Sequence, residues 1–128
     1  MISPLFIAGT PVSPTVNFDS TNGLLQITGR SIPEHPVKFY QPIENWLNEY
    51  LSSLPSNIKL SIYLDYMNTH STECMLILLK RLKEYQASTS KENIEVEWSF
   101  DVDDEDMETL GEDLAEISQL PFQYKHVK

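Results

Sequence analysis

Ile58-Lys59-Leu60-Ser61-Ile62-Tyr63-Leu64 followed by Asp65-Tyr66-Met67-Asn68-Thr69-His70-Ser71-Thr72 and then Glu73-Cys74-Met75-Leu76-Ile77-Leu78-Leu79 is the stretch on which the fold turns. Ile58, Leu60, Ile62 and Leu64 alternate with Lys59, Ser61 and Tyr63, the period of a strand with one apolar face. Met75, Leu78, Leu79 and Leu82 recur instead at helical spacing, broadened by Leu76 and Ile77, which predicts a largely buried helix. Between the two periods Asn68, Thr69, Ser71 and Thr72 place four hydroxyl or amide side chains in five residues. In open α/β sheets the loops after strand carboxyl ends gather ligands and reactive groups, because helix N-termini converge there. A free helix N-terminus offers unpaired N–H groups and a positive dipole end, so a phosphate in this loop would be stabilised.

Outward from this junction the same two periods repeat. Leu5-Phe6-Ile7 and Thr15-Val16-Asn17-Phe18 read as short strands, and Asn22-Gly23 turns the chain into Leu24 to Gly29 as a hairpin. Arg30 to Pro36 reads as a proline-punctuated loop. Ile43, Trp46, Leu47, Tyr50 and Leu51 then mark an amphipathic helix that ends near Leu54-Pro55. Ile94, Val96, Trp98 and Phe100 alternate as a strand. Met107, Leu110, Leu114 and Ile117 mark a third helix, and Pro121 to Tyr124 reads as a short edge strand. A hairpin region followed by α-β-α-β-α implies a single α/β domain over residues 1–128, with helices packed on a mixed β-sheet.

Composition narrows the partners. The 128 residues are 41% hydrophobic, enough for one buried core, and the formal net charge is -10. That balance argues against electrostatic binding to nucleic acid or an anionic membrane and points to proteins or nucleotides. Cys74 is the only cysteine, which excludes an intramolecular disulfide and suggests a cytoplasmic home. The opening residues lack a basic region and a long apolar run, so no targeting segment is expected.

The polar junction has two compatible readings. Asn68, Thr69 or Ser71 caps the following helix, a routine task for these residue types. A hydroxyl near a cap is also reachable by a kinase, and a phosphate would add about -1.5 to -2 charges and three acceptor oxygens. Asp65 and Tyr66 would line or feel the same loop, or serve only as polar residues at a strand end. His70 and Cys74, spaced i, i+4, are the minimum for a thiol-imidazole pair in a small enzyme; a buried, inert Cys74 is the competing reading.

Nine of the 19 acidic residues fall between Asp101 and Glu116. Asp101, Asp103, Glu105 and Glu112 match ligand positions of a calcium loop, which makes a calcium-responsive module an alternative, but Asp106 stands where the motif turns on glycine. Asp103 or Asp104 as a helix cap, with Glu105 and Asp106 on the dipole, fits better. The rest of the run is a solvated face or a docking surface.

Thr15-Val16-Asn17-Phe18-Asp19, Gly29-Arg30-Ser31-Ile32-Pro33-Glu34, Phe39-Tyr40-Gln41-Pro42 with Trp46, Leu64-Asp65-Tyr66-Met67-Asn68-Thr69, Trp98-Ser99-Phe100-Asp101, Asp104-Glu105-Asp106-Met107 and Gly111-Glu112-Asp113 occur in an order and spacing that resembles the SiaC family of bacterial regulatory phosphoproteins. The resemblance covers most of the chain and departs from the family pattern at Met67, His70 and Glu73. It implies a fold similar to the anti-sigma-factor antagonists (STAS-like), no catalytic or metal site, and no cofactor. It also implies a partner switch: a dedicated protein kinase phosphorylates Thr69 and a serine/threonine phosphatase reverses it. The unphosphorylated form would bind an effector such as a diguanylate cyclase, in cyclic-di-GMP and biofilm control. Asn68, Ser71, Asp65 and Tyr66 would shape the loop, and Arg30, Ser31 and Glu34 would meet a partner.

Overall fold

The computed structural model describes residues 2–89 and 93–128. The chain runs β1 (Leu5–Ile7), β2 (Thr15–Asp19), β3 (Leu24–Ser31), α1 (Pro36–Ser52), β4 (Ile58–Met67), α2 (Thr69–Thr89), β5 (Ile94–Asp101), α3 (Glu105–Ser118) and β6 (Phe122–Val127). All six strands lie in one sheet in sequence order. The first two pairings are antiparallel and the last three parallel. Three β-α-β units therefore follow a hairpin, the mixed α/β architecture that the two periods predict.

Each parallel crossover carries one helix, and α2 packs against both α1 and α3, so the three helices share one face of the sheet. The strands alternate accordingly. Val16, Phe18, Leu25, Ile27, Ile58, Leu60, Ile62, Leu64, Val96 and Trp98 are buried beneath the helices. The opposite face is polar: Asn17, Gln26, Ser61, Glu97 and Gln123 stand in one continuous row across five strands. No helix among the described residues is long and apolar enough to cross a membrane.

Three departures from the expected periods have physical causes. α2 is not largely buried: Ile77 is 49% exposed, because α1 and α3 flank the helix and leave its outer face uncovered. On α3, Ile117 is 56% exposed, while Gly111 and Ser118 are buried beside Met107 and Leu114. Gly111 rotates the helix onto this register, since a Cβ there would overlap the indole of Trp98, whose Nε1 donates to the Met107 carbonyl at 2.9 Å. Third, Arg30 and Ser31 belong to β3 and not to a loop, and α1 begins at Pro36, where the missing N–H is harmless in the first turn.

Candidate functional site

At the carboxyl end of β4 the chain passes directly into α2, with Asn68 as the joint. The Asn68 N–H donates to the Ser31 carbonyl at 3.1 Å, tying the joint to β3. Its side-chain Oδ1 accepts from the Ser71 N–H at 2.9 Å, satisfying one of the free donors of the first turn. Its carbonyl accepts from the Thr72 N–H at 2.9 Å and from Thr72 Oγ1 at 3.0 Å. Asn68 is thus the cap, and the task is not shared with Thr69.

This division separates the three hydroxyls of the loop. Ser71 is 0% exposed and its Oγ has no hydrogen-bond partner among the described residues. Thr72 is half-buried and occupied by the Asn68 carbonyl. Thr69 is exposed, in the first turn of a helix whose first turn holds no acidic residue. An added phosphate at Thr69 would meet unpaired N–H groups and the positive end of the dipole.

Around Thr69 the residues singled out from sequence divide into supporting and exposed sets. Ser31 is buried, and its Oγ lies 2.7 Å from Tyr40 Oη, so it braces the loop from below and does not present itself to a partner. Burial pushes the Tyr40 hydroxyl up to about 12, against the opposing hydrogen bond from Ser31, and the pair stays neutral at physiological pH. Asp65 and Tyr66 lie near the carboxyl end of β4, both exposed, Tyr66 at 52%. Arg30 meets Asp65 through Nε to Oδ1 and Nη2 to Oδ2, both at 3.3 Å. Glu34 is exposed in the segment before α1.

Two alternative chemistries lose their footing here. His70 is exposed while Cys74 is buried, and burial, then the carboxylates of Glu44 and Glu73, push the thiol up, opposite to what a nucleophile requires. A calcium loop would have to stay open from Asp101 to Glu112, but α3 is helical from Glu105, and Asp104 Oδ1 caps it by accepting from the Met107 N–H at 3.1 Å. Among the described residues no group of three or more His, Cys, Asp or Glu side chains could hold a metal ion.

Ile77 went unread as a surface residue in the sequence. Thr69, Glu73 and Ile77 are spaced i, i+4, i+8 and all three are exposed on α2, a helical-wheel signal that was available. Ile77 also borders a cavity of about 270 Å³ between α1 and α2, lined by Glu44, Leu47, Asn48, Leu78 and Arg81.

The sequence model described as SiaC family regulatory phosphoprotein matches residues 7–127. The chain belongs to the SiaC family. An uncharacterized protein of Pseudomonas aeruginosa strain UCBPP-PA14 is 28% identical over 121 residues, covering 94% of each chain. SiaC of P. aeruginosa, in a crystal structure with the diguanylate cyclase SiaD that it activates, superposes with a TM-score of 0.88 at 26% identity, over 96% of this chain and 99% of that one. The apo form of the same protein gives 0.84 at 25% identity, over 97% and 99%. The SiaC fold, similar to that of the anti-sigma-factor antagonists, is therefore the fold of this chain.

Proposed function

We propose that this SiaC-family protein is a non-enzymatic partner switch in the cytoplasm, set by phosphorylation of Thr69. The observation that carries the reading is the division of labour at the joint: Asn68 does the capping, Ser71 and Thr72 are buried or occupied, and Thr69 is left exposed in a first turn that holds no acidic residue. A dedicated protein kinase adds the phosphate and a serine/threonine phosphatase removes it. The unphosphorylated form binds an effector, and the association of P. aeruginosa SiaC with SiaD makes a diguanylate cyclase the effector class to test first.

Partners are expected on the outer face of α2, where Thr69 and Ile77 lie eight residues apart on one exposed stripe, about 12 Å along the helix. A partner's apolar side chain against Ile77 would place its neighbouring groups over Thr69. A phosphate there adds charge to a chain already at -10 and removes the fit. The test is co-purification from the native host with wild type, Thr69→Ala and Thr69→Glu as baits, read by quantitative mass spectrometry. The expected result is a protein retained by Thr69→Ala and lost from Thr69→Glu. Identical partner sets for all three would remove the switch.

A further inference from the structure

β3 and β4 pair in register up to Gly29 opposite Leu64, and then the register slips: Arg30 stands opposite Tyr66 and Asp65 faces no residue of β3. Gly29 makes the slip possible, with a φ of +115° that an L side chain rarely adopts, whereas the space beside it is open to a Cβ at ordinary contact distance. Bulges of this kind re-aim a side chain next to a site. Here the bulge moves Arg30 one position toward the α2 joint and holds β3 beside β4 up to Asn68, through the Ser31 carbonyl.

We propose that Arg30 is the phosphate ligand of the switch: a phosphate on Thr69 draws the guanidinium away from Asp65 and leaves that carboxylate unpaired. The proposal rests on Thr69 as the acceptor and assigns the Gly29-Arg30 segment a function. Tyr66, opposite Arg30, is three residues before Thr69, about 10 Å along the chain, a gap that an arginine and a phosphothreonine side chain extended toward each other can span. The Arg30–Asp65 contact is made to be exchanged. Both distances are 3.3 Å, the side chains are 49% and 55% exposed, and such surface pairs contribute little. A phosphate presents more charge than a carboxylate and accepts the guanidinium fork in two parallel hydrogen bonds. The other charged residues of the adjoining segments are Glu34 and His35 before α1, Lys38 in its first turn, and His70 and Glu73 on α2. Phosphorylation then changes the surface at two places, adding a phosphate–arginine cluster at the helix end and exposing Asp65 beside Tyr66.

The experiment installs phosphothreonine at position 69 during translation and follows its second ionisation by phosphorus NMR across pH 4 to 9. The ordinary value for that ionisation is about 6. In the otherwise unaltered chain it should fall below that value, Arg30→Gln should raise it by roughly half a unit or more, and Asp65→Asn should lower it further because the guanidinium loses its competitor. Lys38→Gln should leave it in place. Circular dichroism checks that each variant is folded, which surface positions of this kind allow. If Arg30→Gln titrates with its parent, or Lys38→Gln carries the shift, the proposal is overturned. Because the phosphate is installed, this failure is separate from failure of Thr69 as a cellular acceptor, which appears only as missing phosphate in protein from the native host.

Discussion

α2 and α3 begin in the same way and face solvent with opposite electrostatics. In each, a side-chain oxygen of the residue before the helix accepts the N–H three positions on: Asn68 for Ser71, Asp104 for Met107. The first turn of α3 then adds Glu105, Asp106 and Glu108 to its aspartate cap, so the dipole there is already answered by acidic residues. The first turn of α2 has a neutral cap and no acid, in a protein whose net charge is -10. An otherwise acidic surface thus keeps the first turn of α2, like that of α1, free of acidic residues, and the first turn of α2 carries an exposed threonine. The difference shows how one capping device can sit on a helix dipole answered by acidic residues or on one left unanswered.

The comparison breaks most visibly where α3 is seated. Gly111→Ala forces a methyl group into the Trp98 indole, and the overlap should outweigh the better helix propensity of alanine, costing about 3 kcal/mol in urea unfolding. Glu73→Ala on the exposed face of α2 should stay within about 0.5 kcal/mol of wild type. The α2 joint has its own test in alkali. Tyr40 holds its proton to about 12 in the fold against an ordinary value of 10.0. Its contribution is complete below pH 10 and is lost as pH rises from 10 to 12, about 2 to 3 kcal/mol in total. Tyr40→Phe should flatten that part of the stability profile.

Exchanging the caps sharpens the contrast at smaller amplitude. Asn68→Asp keeps the hydrogen bond and places a charge on an unanswered dipole, which should stabilise by about 0.3 to 1 kcal/mol, less in high salt. Asp104→Asn removes a charge from a crowded acidic segment and should be close to neutral, while Asn68→Ala and Asp104→Ala should each cost about 1 kcal/mol. Smallest of all is Ser71→Ala. The hydroxyl is buried without a partner among the described residues, so its removal should leave thermal stability unchanged or slightly raised, where loss of a working hydrogen bond would lower it.

The core strands were legible because Ile58 to Leu64 and Ile94 to Phe100 alternate cleanly, and the Thr69 joint was legible because two periods meet across a cap. What escaped was set by contacts that no local pattern carries. Arg30-Ser31 continue β3 only because Gly29 absorbs a register slip, and no alternation announces a bulge. Ile77 and Ile117 fit apolar stripes, yet the positions of neighbouring helices and the close approach of Gly111 to Trp98 turn them outward. Ser31, a plausible partner contact by sequence, is buried because Tyr40 reaches it from α1. Sequence named Asn68, Thr69 and Ser71 as candidate caps, and only the hydrogen bonds assign the work to Asn68.

The most direct test of the account is to purify the protein from its native host under phosphatase inhibition and localise phosphate within residues 60–80. That single tryptic peptide carries Ser61, Thr69, Ser71 and Thr72. The account predicts phosphate on Thr69 and none on the buried Ser71 or the occupied Thr72. A well-covered peptide that stays unmodified across growth phases, or phosphate on another of these hydroxyls, would contradict it.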